Sequence, residues 1–271
     1  MEQNPTKVVI LCGGQGTRLR EETEFRPKPM VEIGGRPVLW HIMKIYSHYG
    51  FRDFILCLGY KGLIVREYFL NYDTMNSDCT IHLGDSRRPV HHNRHEEINW
   101  RVTLVDTGLD TPKGGRIKRI EPYIEEKEFL LTYGDGLADI DIPATIAHHR
   151  RAKKTVTFTG VNPRSRFATA GFNDRGEVVT WKEKRPLETF INGGFFVLDR
   201  AVFDYLTDDT ELEEGPMEEL AARGQVTMYS HLGNWECMDT YRDYLHLNAL
   251  WNSGNAFWAL WQATTAAAHG D

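Results

Sequence analysis

Short runs of β-branched and aromatic residues recur through the first 160 residues, and each run ends in glycine or aspartate. The runs are KVVILCG (7–13), DFILCLG (53–59), RVTLVDTG (101–108), EFLLTYGD (128–135) and KTVTFTG (154–160). Segments with apolar residues at helical spacing separate several of them, at 37–49, 61–72 and 143–152. This alternation of strands and helices predicts an α/β domain with a largely parallel sheet.

After about residue 160 the pattern changes to strands joined by turns. FNDRGEVVTWKEK (172–184) carries a predicted turn at Asn173 to Gly176, FINGGFFVLD (190–199) reads as a strand, and TYRDYLHLNALWNSG (240–254) is amphipathic and helical. We predict one domain over residues 1–271. It comprises a first half at about 7–160, a β-rich second half at about 161–240 and a C-terminal helical segment at about 241–262.

The predicted strands also indicate where a ligand would bind. VVILC and FILCL are apolar without alternation, which is typical of strands covered on both faces. In such sheets ligands bind at the carboxyl ends of the strands. Glycines and polar residues follow the strands at Gly13 to Gly16, at Thr107-Gly108 and at Gly134-Asp135-Gly136, so this edge of the sheet is the candidate site.

Charge and cysteine content exclude several classes of function. The formal net charge is −6 and there is no lysine-rich tail, so we expect no binding of nucleic acid through bulk charge. Cys12, Cys57, Cys79 and Cys237 form no CxxC pair, which indicates free thiols in a reducing cytoplasm. The apolar run near the N-terminus is too short for a signal peptide or a membrane span, so we expect a soluble, cytoplasmic protein with no membrane partner.

A glycine loop follows the first predicted strand, in LCGGQGTRLREETEFRPKPM (11–30). It is neither a dinucleotide fingerprint, because Leu19 stands where glycine or alanine is needed, nor a P-loop, because no GKS or GKT follows. Backbone N–H groups freed by glycines, together with Arg18 and Lys28, would suit a polyphosphate. The alternative is a tight turn from strand to helix with arginines on the surface.

Two aspartates are candidate ligands for Mg²⁺, which prefers one or two carboxylates together with phosphate oxygens. Asp135 ends the strand of TYGDG, and Asp239 lies in ECMDTYRD at another boundary between strand and helix. The alternatives are an Asp-Gly turn at Asp135 and a helix N-cap at Asp239. His91, His92, His95, His148 and His149 lack the spacing of a zinc site, so we do not expect them to bind metal.

The strand FINGGFFVLD contains Asn192, Gly193 and a second glycine. Glycine inside a strand often marks close approach by a ligand or another backbone, and a β-bulge is the alternative. Glu183 and Lys184 in WKEKRP come shortly before it, either as ligand contacts or as an exposed, charged strand end.

Taken in order, LCGGQGTRL, RPKPMVEIGGRPVLWHIM, LVDTG, TYGDG, EK before INGGFFVL, and MDTYRD resemble the sugar-nucleotide pyrophosphorylase family over about Lys7 to Trp261. GYKG, VHH, TLVDTG, GGRIKRI, TYGDGLADIDI and INGGFFVL resemble its cytidylyltransferase branch. The resemblance implies a Rossmann-like nucleotidyltransferase fold, with a mixed, mostly parallel central sheet flanked by helices and a smaller β-rich sugar-binding part. It also implies Mg²⁺-dependent cytidylyl transfer from CTP to a sugar 1-phosphate, with α-D-glucose 1-phosphate as the leading substrate and CDP-glucose and pyrophosphate as products.

The resemblance further implies a role for each matched residue. The expected catalytic residues are Arg18, Lys28 and Lys184; the nucleotide-binding residues are Leu11, Gly13, Gly14, Gly16, Thr17, Thr107, Gly108, Arg116 and Gly134; the sugar-phosphate-binding residues are Glu183, Lys184, Asn192 and Gly193; and the Mg²⁺ ligands are Asp135 and Asp239. A homo-oligomer, with a hexamer as one form, is also implied. Trp251, Phe257, Trp258 and Trp261 would serve that interface or pack on their own domain.

The chain departs from the family pattern in the part expected to bind the sugar. It has EKRPLETFINGG where the family has EKP and a loop with GDG, and SRFATAGF where the family has GRFGAL. Three alternatives therefore stay open: another sugar 1-phosphate or phosphorylated alcohol, UTP or dTTP in place of CTP, and a non-catalytic protein that binds nucleotide sugars.

Overall fold

The computed structural model describes residues 6–84, 88–93, 95–163, 168–182 and 189–262, without the side chains of residues 169 and 182. The strands are β1 (Val8–Leu11), β2 (Glu32–Ile33), β3 (Arg36–Pro37), β4 (Asp53–Leu58), β5 (Cys79–Thr80), β6 (Val90–His91), β7 (Arg101–Asp106), β8 (Glu128–Tyr133), β9 (Gly136–Ala138), β10 (Val156–Val161), β11 (Thr169–Phe172), β12 (Val178–Lys182), β13 (Ile191–Asn192), β14 (Phe196–Asp199), β15 (Val226–His231) and β16 (Trp235–Cys237). The α-helices are α1 (Arg20–Thr23), α2 (Val38–His48), α3 (Gly62–Leu70), α4 (Tyr72–Met75), α5 (Lys113–Arg119), α6 (Ile142–Ala152), α7 (Pro216–Ala222) and α8 (Tyr241–Asn252). Short 3₁₀ helices occur at Thr17–Leu19, Lys28–Met30, Glu121–Tyr123 and Arg200–Tyr205.

One central sheet runs through both halves of the chain. Its order is β13-β10-β14-β8-β1-β4-β7, and β15 pairs with β10. The pairs of β1 with β4 and β8, of β4 with β7 and of β10 with β15 are parallel, whereas β14 lies antiparallel between β8 and β10. The predicted mixed, mostly parallel sheet with flanking helices is therefore confirmed.

Both faces of the central strands are buried, as their unbroken apolar runs predict. Val8 and Ile10 point into one core cluster, which includes the apolar face of α2. Val9 and Leu11 point into the other cluster, on the side of α5. Because successive side chains of a strand point to opposite faces, a strand covered on both sides needs apolar residues at every position.

The predicted strand at 190–199 is instead two strands. Both β13 and β14 pair with β10, and Gly193, Gly194 and Phe195 interrupt them. Gly194 has φ 79° and Phe195 has φ 47°, in the left-handed region that breaks an extended strand. The interruption aims Asn192 away from the continuation of the strand, toward the carboxyl end of β8.

The predicted turn at Asn173 to Gly176 and the predicted C-terminal helix are present in the structure. The turn at Asn173 joins β11 to β12, where the Asn173 side-chain oxygen accepts hydrogen bonds from the backbone N–H groups of Arg175 and Glu177. Helix α8 begins after Thr240, which forms a capping box with Asp243. Asp239 is therefore not the N-cap.

The aromatic residues at the end of α8 and just after it pack on their own domain. Trp258 is fully buried, and Trp251, Phe257 and Trp261 pack against the same core cluster. The indole N–H of Trp258 donates to Nδ1 of His41 in α2 at 3.2 Å. These contacts fasten the C-terminal segment to α2.

Within the described ranges, the helices are too short or too polar to cross a bilayer.

Candidate active site

A cleft of about 1210 Å³ opens at the carboxyl ends of β1 and β8. The two strands are parallel neighbours with Leu11 opposite Tyr133, so the segments that follow them emerge side by side. The predicted residues that line the cleft are Leu11, Gly13, Gly14, Gly16, Thr17, Arg18, Lys28, Arg116, Gly134, Asp135, Asn192, Gly193 and Asp239. The structure thus gathers most of the predicted site residues from separate segments into one cavity.

The glycine loop connects β1 to the 3₁₀ turn at Thr17–Leu19. The backbone N–H of Tyr60 donates to the carbonyl oxygen of Gly13 at 3.1 Å, which ties the loop to the end of β4. Gly16 has φ 63°, and a Cβ there would lie 2.9 Å from the Thr23 side chain. The backbone therefore requires glycine at this turn, while Thr17 and Arg18 remain exposed at the cleft.

Asp135 and Asp239 are brought together by a small antiparallel ribbon of β9 and β16. Gly136 pairs with Cys237, and the N–H of Met238 donates to the carbonyl oxygen of Asp135 at 3.0 Å. The two aspartates consequently flank the same end of the ribbon, although they are 104 positions apart in the sequence.

The Lys28 ammonium lies between the two carboxylates. Its Nζ is 2.7 Å from Asp135 Oδ2 and 2.8 Å from Asp239 Oδ1, and Arg18 forms a further ion pair with Asp239. Burial by itself lowers the pKa of Lys28, but the charge and hydrogen bond of Asp135, together with the contributions of Cys237 and Asp239, outweigh it, so the pKa is above its ordinary value. Lys28 and Arg18 are thus paired with acids of the same cleft.

The same arrangement fits a divalent cation. The oxygens of Asp135 and Asp239 converge on one positively charged atom, and Mg²⁺ prefers one or two such carboxylates with the rest of its shell from phosphate and water. The thiol of Cys237 faces the same point, because its sulfur and one oxygen from each aspartate all lie within 4.8 Å of one another. Burial, followed by the charge of Asp135, raises the pKa of this thiol.

Arg116 closes the floor of the cleft from α5. Its guanidinium is almost completely buried and donates hydrogen bonds to the carbonyl oxygens of Gly13, Leu58, Gly108 and Leu109 and to Oγ1 of Thr107. Burial is the largest influence on its pKa and lowers it. A planar group with five donors in a fixed fork is suited to hold several loops at once.

Two of the predicted nucleotide-binding residues, Thr107 and Gly108, accept hydrogen bonds from Arg116. Thr107 is fully buried, donates from Oγ1 to the carbonyl oxygen of Leu58 at 2.6 Å and does not line the cleft. Gly108 has φ 88°, and its carbonyl oxygen accepts from Arg116 at 2.7 Å. Neither residue is among those that line the cleft; both accept hydrogen bonds from the Arg116 guanidinium, which also donates to the Gly13 carbonyl oxygen of the glycine loop.

Asn192 is held by a network that the sequence did not indicate. Its amide nitrogen donates to the hydroxyl of Tyr133 at 2.9 Å, and that hydroxyl donates to Oε1 of Glu213 at 2.7 Å. Lys113 forms an ion pair with the same Glu213 oxygen at 2.6 Å. Burial and then the Glu213 charge raise the pKa of Tyr133, which keeps the hydroxyl protonated and able to donate. Beside it, the Trp235 indole donates to the carbonyl oxygen of Gly193 at 2.9 Å.

Glu183 and Lys184 lie outside the described residues, so their expected contacts with the sugar phosphate stay a prediction. The cleft-lining residues that sequence analysis missed include Lys113, Tyr133, Glu213, Trp235 and Cys237. Two signals pointed toward them: Tyr133 is the last residue of an apolar strand, and Cys237 stands two positions before Asp239.

Comparisons with known proteins agree with this architecture. A nucleotidyl transferase family model matches residues 7–249. Glucose-1-phosphate cytidylyltransferase of Salmonella typhimurium is 49% identical over 259 residues, which cover 94% of this chain and 100% of that protein. A probable glucose-1-phosphate cytidylyltransferase of Bacillus subtilis is 44% identical over 257 residues, with coverage of 94% and 100%.

Solved structures show the same fold at lower identity. HddC from Yersinia pseudotuberculosis superposes with a TM-score of 0.66 at 22% identity, covering 91% of this chain and 99% of that one. Apo-UDP-glucose pyrophosphorylase also gives 0.66, at 13% identity and with coverage of 92% and 98%. The match of the family model and the close relatives confirm the resemblance inferred from the motifs. The chain belongs to the nucleotidyl transferase family.

Proposed function

We propose that this protein transfers the cytidylyl group of CTP to a sugar 1-phosphate, with α-D-glucose 1-phosphate as the leading substrate, and releases pyrophosphate. The observation that carries the proposal is the 49% identity to a glucose-1-phosphate cytidylyltransferase along 94% of this chain. The convergence of Asp135, Asp239, Lys28 and Arg18 in one cleft supports it independently.

The chemistry needs little from a general base. A phosphate oxygen of the sugar 1-phosphate attacks the α-phosphorus of CTP, and the P–O bond to the β-phosphate breaks as pyrophosphate leaves. The nucleophile is already an anion, so the main barrier is repulsion between two anionic substrates. Catalysis then consists of positioning and charge neutralisation.

Arg18 and Lys28 carry the positive charge for this step. Asp135 and Asp239 hold these cations in ion pairs. When bound, Mg²⁺ would be held by the same two aspartates and would supply charge neutralisation at the phosphates. Lys28 and Arg18 line the same cleft, where they would contact phosphate oxygens. Lys184 is expected to add a third cation from the sugar side.

The glycine loop would bind the nucleotide. Gly13, Gly14, Gly16 and Thr17 follow β1 directly and border the cleft, where backbone N–H groups can meet phosphates. We propose that Arg116 acts on the pyrimidine through its position below the loop, with Gly108 beside it. Thr107 contributes indirectly, because its hydroxyl is bonded to Leu58 and Arg116.

The sugar phosphate would lie against Asn192 and Gly193, on the opposite wall. The amide of Asn192 is oriented by Tyr133, which leaves one face of that side chain toward the cleft. Glu183 and Lys184 are expected to complete this wall. The chain departs from the family pattern near these residues, in EKRPLETFINGG and SRFATAGF. The identity of the sugar therefore has to be tested with a panel of sugar phosphates.

The test is an assay of the purified protein with Mg²⁺, each of CTP, UTP, dTTP, ATP and GTP, and a panel of sugar 1-phosphates and other phosphorylated alcohols. Pyrophosphate release and product mass are measured. CDP-glucose formation is the expected result. If turnover occurs with UTP or dTTP and not with CTP, the proposed nucleotide is wrong. If it occurs with another phosphorylated compound and not with glucose 1-phosphate, the proposed sugar is wrong. Binding of a nucleotide sugar by calorimetry without any turnover would favour the non-catalytic alternative.

The matched variants for this assay are Asp239→Asn and Asp209→Asn. The first removes a proposed metal ligand, and the second changes an exposed aspartate at 208–209, outside the cleft lining. We expect at least about a 100-fold loss of kcat/KM for Asp239→Asn. Asp209→Asn should retain wild-type turnover. Assembly into a homo-oligomer remains a prediction, and light scattering on the same sample tests it.

A further inference from the structure

Cys237 gives the proposed metal site a donor that Mg²⁺ chemistry does not use. Within the part of the chain that the structure describes, Asp135, Cys237 and Asp239 are the one group of three metal-binding side chains whose ligand atoms lie within 4.8 Å of one another. Magnesium is a hard cation that takes oxygen ligands and leaves a sulfur unbound. The thiol is therefore an addition to the two carboxylates, and its chemistry points to a different class of cation.

Two oxygens and one sulfur suit the thiophilic divalent cations. Zinc-type ions bind cysteine sulfur and aspartate oxygen in tetrahedral geometry, with three protein ligands and one open position in many sites. Bond lengths of roughly 2.3 Å to sulfur and 2.0–2.2 Å to oxygen place tetrahedral donors about 3.5 Å apart. Because 4.8 Å is the upper limit between the observed donors, the required contraction is at most about 1.3 Å, which side-chain rotation can provide.

The backbone holds these three donors in place. Cys237 is the last residue of β16, opposite Gly136 of β9, and Asp135 directly precedes Gly136. Asp239 follows Cys237 by two residues, and its N–H donates to the carbonyl oxygen of Cys237 at 3.1 Å. The ribbon therefore brings all three side chains to one end, and no loop rearrangement is needed to assemble them.

The position between the donors already holds a cation. The Lys28 ammonium contacts both aspartates at 2.7 and 2.8 Å, which shows that the carboxylates can close around a single positive charge. A divalent ion with a sulfur ligand brings twice that charge and a third bond. The lysine side chain enters from the 3₁₀ turn at Lys28–Met30, on a different element from the ribbon, and can leave the site without disturbing the donors.

We propose that Asp135, Cys237 and Asp239 form a binding site for thiophilic divalent cations of the zinc type. The Cys237 thiol loses its proton to solvent and binds as thiolate, the two carboxylates each supply an oxygen, and the Lys28 ammonium moves away. The inference rests on the proposed function in one respect: because the aspartates are also the proposed Mg²⁺ ligands, a bound thiophilic ion competes with Mg²⁺ and inhibits cytidylyl transfer.

Cobalt(II) titration tests the site without any substrate. The full chain is freed of metal with a chelator, dialysed and titrated with Co²⁺, and its absorption spectrum is followed. Thiolate ligation gives a charge-transfer band in the near ultraviolet, and tetrahedral geometry gives strong visible bands. We expect one Co²⁺ per chain with both features, displacement by one equivalent of Zn²⁺, and no displacement by an equal concentration of Mg²⁺.

Two cysteine variants make the assignment specific. Cys237→Ser should lose the charge-transfer band and bind Co²⁺ at least about tenfold more weakly. Cys79→Ser, which changes a half-buried cysteine of β5 outside the cleft lining, should retain both the band and the affinity. Asp239→Asn should also weaken binding at least about tenfold while keeping the thiolate band at saturating Co²⁺. Absence of the band in the unmodified protein, or its retention in Cys237→Ser, would overturn the proposal.

A measurement on the unmodified protein covers the case in which Cys237→Ser does not fold. Alkylation by iodoacetamide is followed by peptide mass spectrometry with and without one equivalent of Zn²⁺. Zinc should slow modification of Cys237 and leave that of Cys79 unchanged; equal modification of Cys237 in both samples contradicts the site. Neither readout depends on turnover, so failure of this site leaves the proposed transferase activity standing, and failure of that activity leaves the metal result standing.

Discussion

The ammonium of Lys28 lies 2.7 Å from the carboxylate of Asp135, and each group is mostly shielded from solvent. Asp239 accepts from the same ammonium, so one lysine separates two like charges. A cation proposed to contact substrate phosphates thus also offsets the repulsion between the carboxylates of Asp135 and Asp239.

Lys28→Met should lower the free energy of unfolding by about 1–3 kcal/mol, because it leaves Asp135 without its lysine and Asp239 with the exposed Arg18 as its remaining cationic partner among the described residues. Urea denaturation at pH 7.5 measures the change. Lys118→Met is the control, since Lys118 pairs with Glu121 near the surface, and its loss should cost less than about 1 kcal/mol. Equal costs for both variants would argue against the role assigned to Lys28.

Gly13→Ala should destabilise the protein by about 1–3 kcal/mol, because the new methyl group overlaps the Arg116 guanidinium. A Cβ at Gly13 would lie 2.0 Å from Nη1 of Arg116, and moving that group breaks hydrogen bonds to several loops. Gly14→Ala is the neighbouring control, because no atom of the described residues lies within 4 Å of its Cβ position. Its stability should stay within about 1 kcal/mol of the parent. Thermal unfolding of the pair is the measurement, and matching melting temperatures would contradict the prediction.

His41 should make the protein less stable in mild acid. Burial lowers the pKa of His41 to about 4, from an ordinary value of 6.5, and both ring nitrogens are used in the neutral form, against the Ile33 carbonyl and the Trp258 N–H. The unfolded chain therefore takes up a proton before the folded chain does. The contribution of the neutral His41 side chain to the free energy of unfolding is complete above pH 6.5, falls as the pH decreases toward 4, and totals roughly 3 kcal/mol.

The measurement is urea denaturation at pH 7.5 and pH 5.0, where roughly 2 kcal/mol of that contribution should already be lost. Other acids and histidines also respond to pH, so the test compares the parent with His41→Gln. The variant is expected to be less stable at both pH values but to show a pH dependence smaller by about 2 kcal/mol. An unchanged dependence would mean that His41 is not the titrating group.

Tyr133→Phe should weaken sugar-phosphate binding more than CTP binding. The hydroxyl orients Asn192 and is itself held by Glu213, so its removal takes away the hydrogen bond on the nitrogen side of the amide and leaves the one from the Gly194 N–H to Asn192 Oδ1 at 2.9 Å. Loss of one such hydrogen bond predicts about a tenfold rise in KM for the sugar phosphate. The KM for CTP should change less than about twofold. Tyr123→Phe, at an exposed tyrosine, is the control. A parallel rise in both KM values would instead indicate a general disturbance of the cleft.

The strands of the first half could be predicted because their burial leaves a strong record in the sequence. Val8 to Leu11 are apolar at every position since both sheet faces are covered, and the parallel pairing with β8 then brings the glycine loop and Asp135 to one edge. Motif order supplied the identity of the residues at that edge. This is why the Lys28 and Asp239 positions were found although they are far apart in the chain.

The partners of those residues could not be predicted in the same way. Lys113 and Glu213 meet across 100 positions, through a short helix and a loop whose composition carries no periodic signal. The β9–β16 ribbon has three residues in each strand, too few for an alternating pattern. The break after Asn192 includes Phe195 at a positive φ, where a phenylalanine gives no local hint of a turn. Such features are set by tertiary contacts.

The β9–β16 ribbon fixes the backbones of Asp135 and Asp239 relative to each other. Because backbone hydrogen bonds join the segment of Asp135 to that of Asp239, the two carboxylates belong to a single stiff body, whereas Lys28, Arg18 and Asn192 reach them from other elements. If the walls of the cleft close around a substrate, the separation of the two aspartate backbones stays fixed while the distance from their side chains to the cations changes. The protein can therefore alter the charge around its substrates during a catalytic cycle without dismantling the pair of acids at its centre.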